Sequence, residues 1–134
     1  MAKKTVPTIE ASATVSIGGT DYELVLTTRA TREIAARYGG LENLGQALET
    51  SDDLATTLGE VTWLITLLAN QSVAIHNLTN PTQPREELTV ETVELLTVPA
   101  DLTDYRTAIT EALRRGTRRE ITTEAPKETP APTA

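Results

Sequence analysis

The chain has 134 residues, a formal net charge of −7 and a pI near 4.7; that length fits one domain with one core, and the charge speaks against a nucleic-acid partner, which would need clustered cations. With no cysteine, disulfides, thiolate metal sites and thiol redox chemistry are excluded. Aromatic residues make up only 3% of the chain, so the core must be built from small aliphatic side chains, which suits packed helices.

Residues 1–11 read as a flexible N-terminal arm. Its "MAKKTVPTIE" carries lysines but no apolar run of a signal peptide, and no stretch approaches the roughly 20 apolar residues that span a bilayer. A soluble cytoplasmic protein with no membrane partner is therefore expected. The folded domain is expected over 12–116. Ala13, Val15 and Ile17 alternate, as do Tyr22, Leu24 and Leu26, and "GGT" separates the two runs. This pattern predicts a β-hairpin over 13–26, which needs something to lie on.

"TTRATREIAARYGG" predicts a helix capped by Thr27 or Thr28, with Ala30, Ile34, Tyr38 and Leu41 on one side and Gly39 and Gly40 at its end. "LENLGQALE" continues as a shorter helix with Leu41, Leu44 and Leu48 aligned, weakened by Gly45. Ser51 is the expected cap of a long central helix, with Asp52 and Asp53 in its first turn, where the helix dipole favours negative charge. Its stripe is Leu54, Leu58, Val61, Ile65, Leu68 and Ser72, at alternating four- and three-residue intervals.

From Asn77 to Glu87 two prolines mark a loop. "LTVETVELL" predicts a short helix capped by Thr89 and stopped by Pro99. "DLTDYRTAITEALRRG" predicts the last helix, with Asp101 as cap, Leu102, Tyr105, Ile109, Ala112 and Leu113 inward and Gly116 at its end. Residues 117–134 are rich in Pro, Thr and Glu without an apolar period and are expected to be disordered. The predicted fold class is mainly α: a small bundle of about five helices with an N-terminal β-hairpin and a disordered C-terminal tail.

Catalysis needs a nucleophile, base or metal in a preorganised cluster. The one histidine, His76, has no acid or second histidine beside it in sequence and reads as a helix-end residue. Neither "IGGT" nor the adjacent acids Asp52-Asp53 and Glu86-Glu87 carry the spacing of a phosphate cradle or a metal site. No catalytic residue, cofactor or metal is predicted. The basic run "LRRGTRRE" places Arg114, Arg115, Arg118 and Arg119 at a helix end, where cations complement the dipole or form a docking patch for an acidic partner.

The single tryptophan, Trp63, stands opposite Leu54 on the helical wheel, beside Leu67, with small Thr56 and Gly59 before it. Either the hairpin or the last helix covers it, or Trp63, Leu67, Gly59 and Thr56 form an apolar patch for another subunit or a partner.

Four stretches, "IGGTDYELVL", "REIAARYGGLENL", "ELTVETVELL" and "DLTDYRTAITEALRRG", taken in this order, resemble the tail assembly chaperones of long-tailed phages and prophages, encoded before the tape measure protein. The likeness runs from about Ser16 to Gly116; the N-terminal decapeptide, the threonine-rich helices and the loop 77–87 depart from the family's usual look. The resemblance implies a mostly helical, non-enzymatic protein that keeps the tape measure protein soluble and helps bring tail tube subunits to it. It further implies a form lengthened by programmed frameshift that contacts the tube protein, residence in the host cytoplasm and absence from the mature virion. Self-association is a further expectation. Two other readings stay open: a minor tail or head-tail connector protein of the virion, and a small regulatory module that would hold DNA through the four arginines.

Overall fold

The computed structural model describes residues 13–44 and 53–117. These form a mainly helical domain with one antiparallel hairpin at its start. The arm 1–11, the continuation of "LENLGQALE" through Leu48, the Ser51 cap and the tail beyond Thr117 lie outside the described residues.

Strands β1 (Thr14–Ile17) and β2 (Thr20–Glu23) pair with Thr14 opposite Glu23 and Ile17 opposite Thr20. The turn is therefore Gly18-Gly19 alone, and Thr20, expected in the turn, belongs to β2. Both glycines have positive φ, 59° and 85°, the conformation that lets a two-residue turn match the twist of its strands. Leu24 to Leu26, expected within the strand, run on beyond it: the Leu24 N–H still reaches the Ala13 carbonyl, but the Val25 N–H donates to the Leu68 carbonyl of the central helix. That switch of partner ends the ladder. The alternation does its predicted work, since Ala13, Val15, Ile17, Leu24 and Leu26 all enter the core.

Helix α1 spans Thr28–Tyr38. Thr27 is its cap, accepting from the Ala30 N–H at 3.0 Å, and the same hydroxyl donates to Gln71 of the central helix at 2.5 Å. One side chain thus starts α1 and ties it to its neighbour. Ala30 and Ile34 are fully buried, and left-handed Gly39 closes the helix. A 3₁₀ turn, Leu41–Asn43, follows and delivers Leu44 to the core.

Helix α2 spans Leu54–Thr79. Asp53, placed by the sequence inside the first turn, is its cap: its carboxylate accepts from the Ala55 N–H and the Thr56 hydroxyl. α2 has 26 residues and contains an 18-residue window of mean hydropathy 1.2, so by length and composition it is apolar enough to cross a bilayer, which corrects the expectation that no such stretch exists. Polar residues interrupt its sequence without making it hydrophilic, because Thr62 and Thr66 donate to carbonyls one turn back. Its apolar side chains are those that hold the domain together. Val61, Ile65 and Leu68 of the predicted stripe are buried, but Leu54 is 62% exposed, and fully buried Leu64 and well-buried Gln71 and Thr57 show that the inward line is turned toward α1.

Helix α3 (Val90–Leu96) starts at Thr89, whose hydroxyl accepts from the Thr92 N–H at 3.1 Å. It is anchored by Val93. Asp101 does not cap the last helix as expected. It closes a 3₁₀ turn, Pro99–Asp101, by accepting from the Val98 N–H, and α4 (Leu102–Thr117) continues straight from that turn. Tyr105, Ala108, Ile109 and Ala112 face inward. Gly116 does not end α4 either, and Thr117, assigned to the tail by sequence, is helical. A Cβ on Gly116 would lie 2.5 Å from the Leu26 side chain, so glycine is needed there for close approach of helix and hairpin.

Candidate functional site

The sequence places Trp63, Leu67, Gly59 and Thr56 together; the fold divides them. Trp63 is half-buried against the end of α1, and neither the hairpin nor the last helix is what clamps it. The Tyr38 ring meets it edge-on at 6.0 Å, and the Arg37 guanidinium lies 4.4 Å from its ring centre, an arrangement worth about 0.5 to 1 kcal/mol at an exposed site. Arg37 is held there by a two-pronged bond to Glu60, at 3.1 and 3.3 Å, and the Tyr38 hydroxyl donates to the same carboxylate. Burial pushes the Glu60 carboxyl up, but the hydrogen bonds from Tyr38 and Arg37 outweigh it and hold the group below its usual value. Burial, and then the bond to Glu60, push the Tyr38 hydroxyl up to about 12. Leu67 also packs against the core. Thr56 is exposed with its hydroxyl on Asp53.

Gly59 belongs to a different feature. Between the first half of α2, α3 and the start of α4 lies an open groove of about 330 Å³, walled by Leu58, Gly59 and Thr62 on one side and by Glu94, Val98 and Leu102 on the other. Tyr105 forms part of its floor, fixed by a bond from its hydroxyl to the Ser16 carbonyl at 2.9 Å. The reason for a groove here is visible along one flank of α2. Ala55, Gly59, Thr62, Thr66, Ala69 and Val73 recur at intervals of four and three and so share a side. The last three are buried, whereas the first three are half-buried or exposed. Small side chains at the start of the flank leave unfilled the space that the later ones close. Leu54, one turn before Leu58, and Val98 are large apolar residues exposed at 62% and 60%. A Cβ placed on Gly59 meets nothing within 4 Å.

Among the described residues, one charged side chain, Glu94, lines the groove. Between Arg85 and Arg106 the chain has Glu86, Glu87, Glu91, Glu94, Asp101 and Asp104 and no lysine or arginine, and α2 has none along its length. This was legible in the sequence as two separate facts, a second stripe of small residues and a run free of cations. The fold brings the small stripe and Glu94 to one groove, while Asp101 and Asp104 line a separate pocket beside β1.

The predicted basic patch is partly spoken for. Arg114 and Arg115 both bond the buried Glu111 carboxylate, at 2.5 and 2.7 Å, and their two guanidiniums, Arg114 first, hold its pKa down to about 2. Arg118 and Arg119 lie outside the described residues. His76 sits in the last turn of α2, where its Nε2–H faces the Gln83 carbonyl at 3.0 Å and Asn80 approaches Nδ1 at 3.5 Å. It helps pin the loop, as do Asn70 and Asn77, whose side-chain amides both donate to and accept from the backbone of Leu88 and Arg85. Among the described residues, no three His, Cys, Asp or Glu side chains gather where they could hold a metal ion.

The arrangement offers contact surface: a largely apolar groove with one carboxylate, Glu94, on its wall at one flank of α2 and an aromatic-cation clamp on the other. Comparison of the chain with protein-family models, with curated proteins and with solved structures gives no match.

Proposed function

We propose that this chain is a non-enzymatic binding protein, a tail assembly chaperone of a long-tailed phage or prophage that keeps the tape measure protein soluble in the host cytoplasm and helps bring tail tube subunits to it. The reading rests on the four stretches that resemble that family. The single physical observation that carries it is the groove beside Gly59, walled in part by exposed Val98, because a helical client is held by laying its apolar face into such a trough. The net charge of −7 favours solubility of the pair.

The test is co-expression with the long coiled-coil product encoded downstream. The reading expects that product to move from the pellet to the soluble fraction and to co-purify with this chain, while finished particles lack it. Stoichiometric presence of this chain in purified particles, or an insoluble partner despite co-expression, overturns the reading in favour of a structural component or another role.

A further inference from the structure

We propose that the groove between α2, α3 and α4 is the seat of a cationic amphipathic helix, whose leucine-like face fills the space beside Gly59 and whose lysines or arginines meet Glu94 on the wall and Glu91 one turn before it. This supplies the partner chemistry for the reading above and rests on that reading only for the client's identity.

Three observations converge. The groove is open to solvent and lined mostly by helical residues, with exposed Val98 on its wall, so it can admit an apolar ridge. Among the described residues, its lining holds one charged side chain, Glu94, and no lysine or arginine, and Glu91 stands one turn earlier on the same helix. Negative charge beside an apolar floor selects the opposite sign in the occupant and speeds encounter with it. The same charge argues against the other candidates. A second copy of this chain would bring a net charge of −7 against carboxylates of the same sign, and anionic lipid or nucleic acid would be repelled likewise.

Gly59 provides a clean way to close the site. It is helical and points into open space, so Gly59→Leu puts a side chain into the groove without breaking a contact and with a gain in helix propensity. The probe is a fluorescently labelled model peptide of leucine and lysine patterned as an amphipathic helix, with a leucine and glutamate peptide of the same pattern as its counterpart. Fluorescence anisotropy with the full chain at low salt reads the binding.

The proposal expects the lysine peptide to bind at least about tenfold more tightly than the glutamate peptide. Gly59→Leu is expected to weaken it by about tenfold or more, as loss of a central apolar anchor does. Glu91→Lys with Glu94→Lys is expected to weaken it by a similar factor while circular dichroism and melting stay unchanged. Equal binding of the two peptides overturns the charge argument. Lysine-peptide binding untouched by Gly59→Leu overturns the groove as its seat, leaving only diffuse surface attraction. If sedimentation shows that Gly59→Leu abolishes a dimer, or if amide shifts place the chain's own first twelve residues in the groove, the occupant is a second copy or the arm, and the proposal falls. Peptide binding that survives while co-expression fails to solubilise the tape measure product would leave the groove standing and remove the chaperone role.

Discussion

The two flanks of α2 solve the same packing problem in opposite ways. On one, Trp63 is a large, half-buried residue, and α1 reaches over it with Tyr38 and Arg37, both held by Glu60 of α2 itself. On the other, Ala55, Gly59 and Thr62 are small residues placed where α3 and α4 stand back, and the space stays open. Bulk with a polar lid gives a closed flank; small size with no lid gives an open one. Under the proposed reading, the glycine and not the tryptophan marks the binding surface of this domain.

The comparison breaks first at Trp63. Trp63→Ala removes a half-buried ring together with its contacts to Tyr38 and Arg37, and is expected to cost about 2 kcal/mol in urea unfolding while leaving peptide binding in the groove intact. Loss of peptide binding without loss of stability would reverse the roles assigned to the two flanks.

A smaller effect is expected at the lid. Tyr38→Phe deletes the hydroxyl bonded to Glu60 and should cost about 1 kcal/mol near neutral pH. The folded-state pKa of Tyr38 is raised from 10.0 to about 12. Its contribution is therefore complete below pH 10 and is lost as the pH climbs toward 12. Stability followed from pH 9 to 12 should fall more steeply in the parent than in Tyr38→Phe; parallel curves would mean the hydroxyl is not held as described. The smallest effect has the opposite sign. Gly59→Ala, on the open flank, should stabilise the domain by about 0.5 to 1 kcal/mol, since its added methyl meets no neighbour.

Much of the fold was legible in local chemistry. Thr27, Gly39 and Thr89 announce their helix ends, and the alternation through Val15, Ile17 and Leu24 announces the hairpin, because caps, left-handed glycines and two-residue periods act over a few residues. Where reading failed, the deciding partner was distant in sequence. Gly116 looked like a terminator until Leu26 proved to be pressed against it. Asp101 looked like a cap, but a 3₁₀ turn joined to α4 uses it one step differently. The site was harder still. Trp63 drew attention by its rarity, yet its environment depends on how α1 crosses α2, which no periodicity encodes. The groove needed three elements to be placed around residues chosen for being small, and small residues leave the weakest trace in a hydrophobic pattern.

The amide rungs from Asn70 and Asn77 have a practical corollary. They clip an extended strip of chain to a helix at Arg85 and at Leu88, just ahead of the Thr89 cap, and His76 holds the turn before them at the Gln83 carbonyl. A fluorophore on the exposed Thr82 side chain would ride outside these ties, whereas one added residue at Glu87 would pull the second clip out of step and shift α3 with it.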